Sequence, residues 1–139
     1  MEFDNDYWGP NDRKLHEEFE IAGKDIGISH GVGDVAQGLK TNIFRGVTKV
    51  ELGFMQVGKG DKQRPTPESY TKQEREEMRQ LARINDVEIS VHSTPNLVGV
   101  SGMGGESEAF NPAYAELNLR EIKKAVEFAS DVSSGGPVV

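Results

Sequence analysis

The sequence predicts an α/β fold in which parallel β/α units curve as part of a barrel, and three observations carry that prediction. Segments with strand alternation and segments with helical periodicity take turns along the chain. Connections from helix to strand are short, whereas those from strand to helix, 56–70 and 93–110, are long. The strands themselves alternate apolar with polar residues, as a sheet does when helices cover one of its faces.

Taken in order, the polar leader MEFDNDYWGPND gives way to DRKLHEEFEIAG, a short helix with Leu15, Phe19 and Ala22 on one stripe and Gly23 as its stop. DIGISHGV (25–32) reads as the first strand. Asp34 can cap the following helix, with Gln37 at the capping-box position; Val35, Leu39 and Ile43 form its apolar stripe, and Gly46 ends it. KVELGFM (49–55) is the second strand. Its helix begins at Thr71, with Glu74 three residues on, and runs to about Asn85 behind Met78, Leu81 and Ala82. VEISVH (87–92) is the third strand. The last helix starts at Asn111 with Pro112 in the first turn, and Leu119, Ile122, Val126 and Ala129 supply its expected buried face. SSGG then leads to PVV, the first residues of a fourth strand.

Alternating elements imply parallel strands with right-handed crossovers, which puts every strand-to-helix loop at one end of the sheet. That is the end where α/β proteins bind ligands. Val50, Leu52 and Phe54 point one way from the second strand, while Lys49, Glu51 and Gly53 point the other. The third strand repeats the pattern and places Glu88, Ser90 and His92 on the polar face. His92, at the mouth end, is a candidate metal ligand or general base, or else a structural histidine. Glu51 is a candidate catalytic carboxylate or a salt-bridge partner inside the lumen. Glu88, near the strand's start, suits a structural role. His30 has the opposite parity from Ser29 and is expected to face the helices or the first loop, and His16 is expected to be solvated.

Composition bounds these readings. The chain has 139 residues, no cysteine and a formal net charge of −7. Disulfides and thiolate metal sites are therefore excluded. No apolar run approaches the ~20 residues of a membrane span, and the acidic start lacks the features of a secretory signal, so a cytoplasmic location without membrane contact is expected. An acidic chain repels phosphate backbones on average. GKGDKQR (58–64) is a local exception, in which Lys59, Lys62 and Arg64 can contact phosphate by charge, or simply be solvated. Gly31-Val32-Gly33 lacks the third glycine of a dinucleotide fingerprint, and Asp34 at the helix cap would repel a pyrophosphate.

Taken together, IGISHGVGDVAQGL, VTKVELGF, VEISVHSTPNLVGVSG, LREIKKAVEFA and GGPVV resemble the first part of xylose-isomerase-like TIM barrels, most closely the endonuclease IV-like apurinic/apyrimidinic (AP) endonuclease branch. The resemblance covers about residues 25 to 139. It implies about three βα units plus the start of a fourth strand, following a leader and short helix at 1–24. In that family the third strand ends in a histidine that binds an active-site metal, a role the resemblance assigns to His92, with zinc as the expected ion. Thr94, Pro95 and Asn96 stand where the family's loop carries an aromatic and a leucine/asparagine pattern, and the loops at 56–70 and 99–110 are longer and richer in glycine.

A metal-dependent phosphodiester hydrolase acting on DNA is the leading expectation. His92 is its metal ligand, Glu51 its catalytic carboxylate, and Lys59, Lys62 and Arg64 its phosphate contacts, with nucleic acid approaching through the 58–64 loop. Three units cannot close an eight-stranded barrel, and one imidazole cannot hold a catalytic zinc, which takes about three protein ligands. Completion is therefore expected from a missing C-terminal half or from a homo-oligomer. The alternatives are a sugar isomerase or epimerase of the same superfamily, which needs no basic loop, and a truncated barrel serving as a non-catalytic module.

Overall fold

A computed structural model describes residues 26–97, 100–103, 110–133 and 135–139. The helix expected at 12–22, and His16 with it, lie outside the described residues. Three parallel strands form one sheet: β1 (Ile28–His30), β2 (Lys49–Gly53) and β3 (Glu88–His92), in that spatial order. Glu51 pairs with Ser29 on one side and Ser90 on the other, and Gly53 pairs with His92. Beyond β3, Val138 bridges Val91 in parallel. Two further bonds fix that register: the Val91 amide donates to Pro137 and the Ser93 amide to Val139. The expected fourth strand is thus present as a short pairing. All these strands are shorter than the sequence pattern predicts, because pairing stops where the loops begin.

Helices α1 (Val35–Phe44), α2 (Lys72–Ile84) and α3 (Pro112–Val132) pack on a single face of the sheet. Val50, Leu52, Phe54, Ile89 and Val91 share one core with Val35, Leu39, Met78, Ala82, Phe128 and Val132. Sequential strand order with helices on one face separates this arrangement from doubly wound sheets, whose helices lie on both. The described residues therefore form an α/β unit of parallel strands with one polar face left open.

Local sequence accounts for each helix start. Thr71 caps α2 in a capping box with Glu74, and Asn111 caps α3 ahead of Pro112. Asp34 caps α1 through the Ala36 amide. Its carboxylate also accepts the hydroxyl of Tyr70, a partner that no local pattern announces. Gly46 takes φ +79 after α1, as a helix-ending glycine does.

The orientation of α3 differs from the sequence expectation. Its buried residues are Asn118, Glu121, Ala125, Phe128, Ala129 and Val132, whereas Leu119 and Val126 remain 46% and 49% exposed. Phe128 decides the rotation. Its ring meets Phe54 edge-on, with centroids 4.9 Å apart, and Tyr70 at 5.8 Å. This rotation buries Phe128 together with Ala125, Ala129 and Val132, and gives the ring two aromatic partners that Leu119 and Val126 could not use. Arg75 fastens α2 to the same region. Its guanidinium donates to the Tyr70 and Pro67 carbonyls and to the Asp131 carboxylate while lying over the Phe128 ring.

Candidate functional site

Strand polarity and register build a layered surface on the open face. The lowest layer is a solvent-exposed ion pair between Lys49 and Glu88, 3.4 Å apart at the strand starts. Ser29, Glu51 and Ser90 form the next layer across the three strands. Above them Gly53 lies beside His92. A side chain at Gly53 would come within 3.1 Å of the Gly31 Cα, so the floor next to His92 is bare backbone.

His92 is half-buried at the C-terminal end of β3. Its Nδ1 lies 2.6 Å from the Ser93 carbonyl oxygen. A carbonyl can only accept, so Nδ1 carries a proton, and in the neutral ring the lone pair is on Nε2. Metal-binding imidazoles are oriented in this way, by a carbonyl on the far nitrogen. The loop beyond is pinned at once. The Thr94 hydroxyl accepts the Asn96 amide, and the Asn96 side chain donates to the Met55 carbonyl at 2.7 Å, tying the loops after β2 and β3 together.

Glu51 shares the open face with His92 on the neighbouring strand, offset by two residues. It is half-buried and has no hydrogen-bond or ion-pair partner among the described residues. His30 lies on the other face. Its ring packs against Gly38 of α1, where any added Cβ would collide with it, and its buried Nε2 has no partner among the described residues.

The basic loop divides its three cations. The Lys62 ammonium is 2.6 Å from Glu74 and lies 3.7 Å above the Tyr70 ring, so it serves as a clamp within the fold. Lys59 and Arg64 are exposed. Between them Asp61 accepts the amides of Arg64 and Gln63, which holds its carboxyl below the usual range. The Gly60 amide donates to the buried Thr66 hydroxyl, and the Gly58 amide to Glu121. This loop is an ordered structure built on internal hydrogen bonds.

The group Glu121–Lys124–Glu68, which runs from a buried carboxylate to an exposed one, was not foreseen from the sequence. Lys124 lies 2.8 Å from each carboxylate, and Glu121 is only 4% exposed. Its sequence signal is the spacing of Ala125, Phe128, Ala129 and Val132, which extends backward to Glu121 and Asn118 rather than to Leu119.

His92 supplies one nitrogen of the kind zinc takes. Among the described residues no three histidine, aspartate or glutamate side chains converge as a metal-holding group. None of their helices is long and apolar enough to cross a membrane. No protein-family model matches the chain, and no curated protein or solved structure matches it. Fold and geometry define it as a mixed α/β chain of parallel β/α units with a polar rim around His92.

Proposed function

We propose that this chain forms part of a barrel-type, metal-dependent phosphodiester hydrolase acting on DNA, of the xylose-isomerase-like, AP-endonuclease-like kind. The observation that carries the reading is the imidazole of His92 on the open polar face, at the end where the strand-to-helix loops gather, with Nδ1 held by the Ser93 carbonyl. Sequential parallel order with helices on one face is the arrangement that curls into a barrel.

In this reading His92 contributes one ligand, and the other ligands come from strands that complete the open face. Those strands belong to the rest of a longer chain or to a second copy. Zinc bound at the rim would supply hydroxide and stabilise the leaving oxygen. Glu51 would accept a hydrogen bond from the attacking water or from the substrate. Lys59 and Arg64 would steer the phosphate backbone, while Lys62 keeps the loop in shape.

Metal titration and cleavage of AP-site DNA by the complete protein test this reading. His92→Ala is expected to abolish stoichiometric metal binding and cleavage together; unchanged binding and cleavage would remove the assignment. A second reading, a sugar isomerase or epimerase, draws on the glycine floor beside His92 and on the engagement of Lys62. Neutralising Lys59 and Arg64 separates the two. A DNA enzyme weakens in a salt-dependent way, whereas turnover of a neutral sugar does not.

A further inference from the structure

We propose that Glu121 is the positioning residue of the 58–64 loop, setting the affinity of Lys59 and Arg64 for a phosphodiester without touching it. This inference rests on the phosphate-steering role given to those two cations above. A buried carboxylate is costly unless its charge and lone pairs are answered. An apolar side chain at this point of α3 would pack against the core at no such cost.

Glu121 uses its two oxygens on two different structures. One accepts the Lys124 ammonium at 2.8 Å, and Lys124 in turn reaches Glu68 within the 3-10 helix at Pro67–Ser69. The other accepts the Gly58 amide at 3.3 Å, across 63 residues of sequence. Gly58 has φ +81, so the chain turns there in a conformation suited to glycine, and the next residue is Lys59. The far side of the loop is fixed independently, by Lys62 on Glu74 and by the Gly60 amide on Thr66. Lys59 follows the Gly58 anchor, and Arg64 follows Lys62, with its backbone tied to Asp61; both cations are exposed. Glu121 thus converts helix α3, a rigid element of the core, into the support for a charged loop at the rim where His92 stands. Holding a binding loop in one conformation raises affinity by lowering the ordering cost at the moment of binding.

The test uses the complete protein, with a short duplex carrying an AP site as the probe. Glu121→Leu is expected to speed amide exchange at Gly58 at least about tenfold. It should also weaken DNA binding about tenfold, with a shallower salt dependence and kcat within about twofold. Glu121→Gln, which keeps an oxygen for Gly58, should restore most of the affinity. If the leucine variant does not fold, Glu121→Asp withdraws the carboxylate from Gly58 while keeping a charge near Lys124, and should move exchange and affinity the same way. Unchanged Gly58 exchange, or faster exchange with unaltered DNA affinity and salt slope, would overturn the positioning role. A parallel Lys59→Ala/Arg64→Ala variant that binds DNA as the parent does would instead overturn the phosphate role of the loop.

Discussion

The Tyr70 hydroxyl donates to the Asp34 carboxylate at 2.9 Å and accepts the Val35 amide at the same distance, so the loop after β2 closes the N-terminus of α1. Burial, ahead of the neighbouring Asp34 charge, pushes the phenol above its usual range and keeps it protonated as a donor. Tyr70→Phe leaves the Val35 amide unsatisfied in the core. The expected loss is about 1–3 kcal/mol in urea unfolding, with Asp34→Asn costing less because the amide can still cap Ala36.

Glu74 gives the fold an acid-sensitive clamp. Its carboxyl is lowered from 4.5 to about 2, first by the Lys62 hydrogen bond and then by the Thr71 amide. The folded state therefore releases this proton more readily than the unfolded state. Its stabilisation is complete above about pH 4.5 and is lost as the pH falls toward 2. Unfolding midpoints measured across that window should fall less steeply with acid in Glu74→Gln than in the parent.

The contact between His30 and Gly38 predicts a coupled pair. Gly38→Ala would gain about 1 kcal/mol in helix propensity, yet it drives a methyl group into the imidazole, an overpacking that costs about 1–3 kcal/mol or more. A net loss of stability is expected. Adding His30→Ala should recover most of it, and a double-mutant cycle that came out additive would contradict the contact.

Asp86 is a residue other than glycine with a positive φ, 53°, in the turn between α2 and β3. Its side chain is exposed, so glycine gives up no side-chain packing there and adopts the angle freely, against a larger backbone entropy cost on folding. Asp86→Gly should raise stability by about 0.5 kcal/mol. Chemical denaturation with an unchanged m-value would show that only this local strain was relieved.

Legibility from sequence follows the range of the interactions. The capping box of Thr71 and Glu74, the start at Asn111-Pro112 and the stop at Gly46 are set within one helical turn, so short spacings reveal them. The two faces of β2 and β3 are equally legible, because side-chain direction alternates with period two. Of the stripe expected on α3, Ala129 is buried but Leu119 and Val126 are not: the spacing of Leu119, Ile122 and Val126 is as good as that of the residues around Phe128, and only the aromatic partners Phe54 and Tyr70 decide between them. Lys62 likewise looked equivalent to Lys59 and Arg64. Glu74 and the Tyr70 ring set it apart.

By itself, then, the sequence determined the order of elements, the caps and the apolar face of each inner strand, because these depend on neighbours a few residues away. The tertiary structure decided which polar and charged groups meet across the chain, and which charge is buried: Tyr70 on Asp34, Lys62 on Glu74, and the buried Glu121 on Gly58. A charged side chain can be buried only where partners from distant segments satisfy it, and those partners meet only when the chain has folded.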